Sequence, residues 1–204
     1  ELRIDSAGSL DANQSSVLSD GPVDIVGAGS ASLRNTSINN AGNGKKLKID
    51  VAGDTDAADS SVQSNGPINI TSGGATSLQN ASVDNRGNGK ELQINSVGRI
   101  DADRSSVLSD GPVDIVGDGA VSLRNASVNN QGNGKQFAIN AGSDVDAADS
   151  SLRSSGPVSV TSGGPTTLRN ASIVNRGNGK ELRVDSVGRI DADRSSVLSD
   201  GPVD

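Results

Sequence analysis

Apolar residues recur along this chain in pairs separated by one polar or small residue, and the pairs return at intervals of 21 and 24 residues. Aligned at those intervals, a first column reads Leu2, Val23, Leu47, Ile68, Leu92, Val113, Phe137, Val158, Leu182, and a second reads Ile4, Ile25, Ile49, Ile70, Ile94, Ile115, Ile139, Val160, Val184. Alternation of this kind predicts a strand with one buried face, because successive side chains of a strand point to opposite sides. After a glycine-containing break, a third and fourth column begin at Leu10/Ala12 and Ala31/Leu33 and run to Ile190/Ala192, with Ala and Leu alternating from unit to unit at the second position. That alternation suits a core in which a large side chain in one layer meets small ones above and below. A fifth column, from Val17 and Ile38 to Val197, completes each unit, and glycine closes all nine, from Gly21 to Gly201.

The underlying period is 45 residues, marked by Gly42-Asn43-Gly44-Lys45 and its returns at 87–90, 132–135 and 177–180. A period of 90 is superimposed, since residues 96–114 are identical to 186–204. Each 45-mer divides into a 21-residue unit and a 24-residue unit carrying three extra residues, Asn-Gly-Lys. The units are 1–21, 22–45, 46–66, 67–90, 91–111, 112–135, 136–156, 157–180 and 181–201, with a stub at 202–204. Three short strands per unit with glycine at the turns predict an all-β fold, a parallel β-helix or β-solenoid of nine coils, with right-handed crossovers as the strong default. At about 4.8 Å per coil the rod would be roughly 43 Å long. A solenoid buries its core only by stacking and needs capped ends, so the uncapped pattern is expected to be a window on a longer array.

Composition narrows the chemistry. The chain has one aromatic residue, Phe137, and no Cys or His, which removes disulfides, thiolate metal sites and the usual acid/base at neutral pH. The net charge of −7 with dispersed basic residues argues against nucleic acid as a partner. No apolar run is long enough to span a bilayer.

Several rows could carry function. The row Asp11, Asp56, Asp101, Asp146, Asp191 could bind cations, calcium among them as part of a repetitive ligand-binding surface, or act as catalytic carboxylates. Ser or Thr occupies the intervening units, which would set the Asp residues about 9.6 Å apart, too far to share one ion. Every feature recurs along the rod, whereas a hydrolase or lyase needs one distinctive cleft with paired carboxylates, so no enzyme activity is expected. No cofactor is implied. Asp103 and Asp193 align with Arg124, Arg34 and Arg169, so some ion pairs could run between coils, but the expectation is a solvated charged face worth less than about 1 kcal/mol per pair.

A serine precedes the fifth apolar column in every unit: Ser16, Ser37, Ser61, Ser82, Ser106, Ser127, Ser151, Ser172 and Ser196. The expectation for this ladder is hydrogen bonding at a turn; a ligand-facing array for sugar or ice is the alternative. Asn35, Asn80, Asn125 and Asn170 stand in Asn-x-Ser sequons, with Asn13 and Asn69 adding two more, and turn formation explains the same residues without sugar. Asn40, Asn85, Asn130 and Asn175 read likewise as turn residues, with the Asn-Gly-Lys insertions after them bulging from one corner. Leu18, Leu108 and Leu198 should face solvent or a neighbouring molecule.

Segments such as Gly98-Arg99-Ile100-Asp101-Ala102 and Ser122-Leu123-Arg124-Asn125-Ala126-Ser127-Val128-Asn129-Asn130 resemble the haemagglutinin repeats of filamentous-haemagglutinin-like exoproteins, bacterial β-helix proteins exported by two-partner secretion. The resemblance implies the shaft of an extracellular or cell-surface adhesin-like fibre. Its partners would then be copies of itself, joined end to end or bundled laterally, and host or cell-surface glycans. Counterparts of the family's secretion domain and effector region do not occur in these 204 residues.

Overall fold

The alternating columns fold into stacked coils, and the reason lies in where the backbone hydrogen bonds go. A strand of two to five residues has no partner within its own coil, so each N–H and C=O must be met by the coil above or below. The computed structural model, which describes residues 1–204, is all-β with three strands per coil and no helix. The strands form three parallel sheets of nine strands, each coil pairing only with its neighbours. Sheet A contains the five-residue strands from Leu2–Ser6 to Leu182–Ser186. Sheet B contains the two-residue strands from Leu10–Asp11 to Ile190–Asp191, and sheet C the four-residue strands from Ser16–Ser19 to Ser196–Ser199.

Register follows the predicted columns. Leu2 pairs with Val23, Val23 with Leu47 and Leu47 with Ile68, so the step alternates between 21 and 24 residues. The inward residues of all three sheets merge into one continuous core. In the first column the largest side chain, the fully buried Phe137, lies between the smaller Val113 and Val158. Leu33, Leu78 and Leu123 are fully buried in alternation with Ala57, Ala102 and Ala147, as the sequence pattern predicts.

Each coil has three corners of different chemistry. Between sheets B and C, one non-glycine residue per coil is left-handed, with φ between 52° and 58°: Gln14, Asn35, Asp59, Asn80, Arg104, Asn125, Asp149, Asn170 and Arg194. Asn and Asp tolerate this region best. The coil-closing glycines between sheets C and A have a different reason for being glycine. None has a positive φ. A Cβ on Gly66 would instead strike the carbonyl of Lys45, and one on Gly111 that of Lys90, because adjacent coils press together at this corner.

The same corner holds the insertions. Lys45 N–H donates to the Gly42 carbonyl at 3.0 Å and Gly44 has φ +67°, which makes 42–45 a type II turn with glycine at its third position. Beneath it lies a residue whose burial the sequence conceals: Asn40 is fully buried, its Nδ2 donating to the Lys45 carbonyl at 2.6 Å and its Oδ1 accepting from Gly42 N–H at 3.1 Å. Asn85, Asn130 and Asn175 repeat this plug in the other long coils. In the short coils Ser takes the position, and the Ser64 Oγ accepts only the Gly66 N–H, at 3.0 Å. Asparagine thus serves the coil with a loop to hold, and serine the coil without one.

Asn130 also donates to the Gln136 carbonyl at 3.0 Å. Replacing Asn130 with Ala strands the Lys135 carbonyl and the Gly132 N–H in a dry corner, so the expected loss is about 2–3 kcal/mol. Asn130→Ser, which restores one of the two contacts, should fall between Ala and the parent in urea-unfolding midpoint.

Candidate interaction faces

The aspartate row, the serine ladder and the sequon turns lie on the outside of the rod, over sheet B, the adjoining corner and sheet C, with Asn69 apart from them on sheet A. The aspartate row alternates with hydroxyl residues, Asp11 pairing with Ser32 and Ser32 with Asp56. Each Asp turns one oxygen back on its own chain: Asp56 Oδ1 accepts from Ala58 N–H at 3.2 Å, and Asp146 Oδ1 from Ala148 N–H at 3.1 Å. In four of the five the other oxygen faces a neighbouring coil, closely in Arg34–Asp56 at 2.5 Å and Gln79 Nε2 donating to Asp101 at 2.7 Å, whereas that of Asp11 has no partner. These carboxylates shape turns and bridge coils, and no group of three or more potential metal ligands converges.

Ion pairs between coils are present, with one change of partner. Arg124 engages Asp103, the pairing that the alignment allows, through Nη2 at 2.6 Å and Nε at 3.0 Å, in place of a merely solvated face. Asp193 instead meets Arg194 of its own coil, and Arg169 approaches Asp191 at 3.8 Å. The left-handed turn at Arg194 places that guanidinium beside its neighbour in sequence, a proximity that column alignment does not reveal.

Asp103 is the best-held carboxylate of this face. Its Oδ1 accepts from Ser122 Oγ at 2.5 Å and from Arg124 N–H at 2.9 Å. Burial alone pushes its pKa up, but the Ser122 and Arg124 hydrogen bonds and the Arg124 charge outweigh burial and hold it below the usual carboxylate value. Asn13 fills the same place in the first coil, its Oδ1 accepting from Ser32 Oγ and Arg34 N–H. Around these turns run shallow, open depressions, the largest of about 510 Å3 and bordered by Asp103, Arg104, Arg124 and Asp149. Asp114, on the outer side of sheet A, is the contrasting case. Its Oδ1 is buried without a partner, and burial, then the nearby Glu91, push its pKa up.

The sequon residues Asn35, Asn80, Asn125 and Asn170 occupy the exposed left-handed turns every second coil. Two of them reach along the rod, Asn80 donating to Asp59 and Asn170 to Asp149, each at 3.0 Å. Asn13 is engaged as above, and Asn69 lies half-buried on the outer side of sheet A, where Thr71 Oγ1 donates to it at 2.8 Å.

The serine ladder lies in register, Ser16 on Ser37, Ser37 on Ser61 and onward to Ser196. Its hydroxyls point outward from sheet C and do not serve a turn. Of the nine, only Ser151 has a side-chain hydrogen bond, from Arg153 Nε at 3.3 Å. The turn is served by residues one position earlier: Ser60 Oγ donates to the Leu33 carbonyl and Ser105 Oγ to that of Ala102, both at 2.5 Å, and Thr36 Oγ1 to that of Ala12 at 2.7 Å. The difference is one of strand parity: a residue next to an inward Val must point outward. Leu18 and Leu198 flank the ladder as exposed residues, and Leu108 is half-buried there. The second outward column of sheet C carries only two charges, Asp84 and Arg153.

Stacked coils of fixed register, an unbroken core and outward rows define the chain as a parallel β-solenoid repeat protein. No protein-family model matches it, and no curated protein or solved structure matches it at a significant level. The likeness to haemagglutinin repeats therefore rests on the residues quoted for it.

The two perturbed aspartates give opposite expectations. A depressed folded-state pKa contributes stability that is present above the unfolded value and lost as pH falls through the folded one. Asp103→Asn should accordingly cost about 1 kcal/mol at neutral pH and nothing once both forms are protonated. A raised pKa reverses the sign, so Asp114→Asn should be neutral or stabilising at neutral pH, with the gain vanishing in acid. Urea unfolding across an acid-to-neutral series reads both.

Proposed function

We propose that the chain is a shaft segment of a long extracellular or cell-surface filament of the haemagglutinin-repeat kind, and that it acts by reach and stiffness without catalysis. The observation that carries this reading is the unbroken register: nine coils stack with no inserted domain and no interrupted sheet. A spacer needs those properties, since its length scales with the number of coils and each coil contacts only its neighbours. Glycine-tight corners, buried Asn and Ser plugs and parallel pairing on all three sides leave few loops for proteolysis. Self-association and glycan contact belong to the same proposal as partners.

A second reading has one observation in its favour. The serine ladder is flat and outward, and eight of its nine hydroxyls have no protein partner, as a repetitive surface for a glycan, ice or a lateral neighbour would require.

The two readings separate on length against surface. Removing residues 46–135 deletes one 90-residue period and rejoins a long coil to a short one, so the rod should shorten by four coils, about 19 Å. In a fibre carrying this segment, the shaft reading expects reach, measured by electron microscopy and surface-to-surface adhesion, to fall with that deletion and to ignore Ser82→Lys with Ser106→Lys. Loss of adhesion in the lysine variants at unchanged length would replace the shaft reading with the ligand-face reading.

A further inference from the structure

Five Asn-Gly pairs occur in the chain, at Asn43, Asn65, Asn88, Asn133 and Asn178, and all five asparagines are exposed. In such a pair the glycine nitrogen, once deprotonated by base, can attack the Asn Cγ. The Cγ–Nδ2 bond breaks, ammonia leaves, and a succinimide ring forms. Water then opens the ring at either carbonyl to give aspartate or isoaspartate, with no oxidant or cofactor involved. The reaction needs a glycine amide free to lose its proton and a carboxamide free to turn toward it.

The structure distributes that freedom unequally. Four of the pairs sit in the middle of the type II turns that stand out from the coil. There the glycine N–H reaches only as far as the next coil: Gly44 to the Asn65 carbonyl at 3.0 Å, Gly134 to that of Ser155 at 3.1 Å, and Gly89 to that of Asp110 at a long 3.3 Å. Gly179 N–H donates to no acceptor. None of these four asparagine side chains is held by a hydrogen bond, whereas Asn65 is tied at both ends. Its Nδ2 donates to the Ala41 carbonyl at 3.0 Å, and Gly66 N–H donates to Ser64 Oγ at 3.0 Å in a buried corner packed under the Lys45 backbone.

We infer that the insertion turns are a register of self-modification sites, at which Asn178, Asn88, Asn133 and Asn43 convert to aspartate and isoaspartate in that order of ease, Asn133 and Asn43 nearly together, while the equally exposed Asn65 is protected by the stack. Each conversion adds one negative charge beside Lys180, Lys90, Lys135 or Lys45, the lysine that ends the same turn. The corner therefore becomes more acidic in steps. Because the turn lies outside the three sheets, the stack survives the change, and the charge of this edge records the age of the protein.

The test is peptide mapping of the intact chain during incubation in mildly alkaline buffer, with isoaspartate read by fragmentation and added charge by isoelectric focusing. The expected result is four acidic steps with an unchanged far-UV spectrum, and Asn65 slower than Asn43 by at least about tenfold, the ratio imposed by about 1.4 kcal/mol of local opening. In urea all five sites should converge, and Ser64→Ala, which removes the acceptor of the Gly66 amide, should bring Asn65 toward the turn rates in the folded protein. Equal rates at all five sites in the folded chain would overturn the proposal, as would turn asparagines no faster than Asn39, which precedes no glycine.

Discussion

The structure depends on one constraint: the backbone of each coil is satisfied only by the next coil, at a fixed separation of about 4.8 Å. Every pairing therefore spans 21 or 24 residues of sequence, and no coil holds its strands alone. A residue on the inside is seen twice, from above and from below, so the tolerance at each position is set by a column. Phe137 fits because Val113 and Val158 flank it. Substituting either valine with a larger residue would crowd the same space from the other side.

The constraint also explains the polar interior. A corner is where strand pairing lapses, and each lapse leaves backbone groups in a dry environment that costs about 1–3 kcal/mol per unmet group. The chain meets these with short side chains that reach back to their own turn or to the coil before: Asn40 and its equivalents under the insertions, Ser64 and its equivalents where there is none, and Ser60 or Ser105 at the B–C turn. Length and identity are coupled here. In each 24-residue coil the extra turn adds a carbonyl, and the longer Asn side chain carries the amide donor that meets it at close range.

The inward columns, their register, the three strands per coil and the exposed insertions are all legible in the sequence, because period-2 alternation and a repeating column report directly on burial. The outward rows are read less well. The serine ladder reads as a turn device because Ser commonly serves turns, yet its parity beside Val17 or Val107 turns it outward, and the actual turn hydroxyls sit one residue earlier in a column interrupted by Ala81, Ala126 and Ala171. That interruption hides the signal. Likewise the glycines that close each coil read as conformational devices, whereas at Gly42, Gly66, Gly111, Gly132, Gly156 and Gly201 a carbonyl of the adjacent coil occupies the space a Cβ would need. Proximity between coils is the one quantity that a column of letters does not carry.

The same proximity sorts chemically similar residues into different fates. Asp103 and Asp114 are both aspartates on the outside of adjacent coils, and they titrate in opposite directions because one meets Ser122 and Arg124 while the other keeps an oxygen buried without a partner. Asn43 and Asn65 are both exposed residues before glycine, and they differ because the Asn65 carboxamide donates to the Ala41 carbonyl of the adjacent coil whereas that of Asn43 has no partner. What distinguishes one surface residue from the next is whether the adjacent coil supplies it with a partner, and that is settled by register.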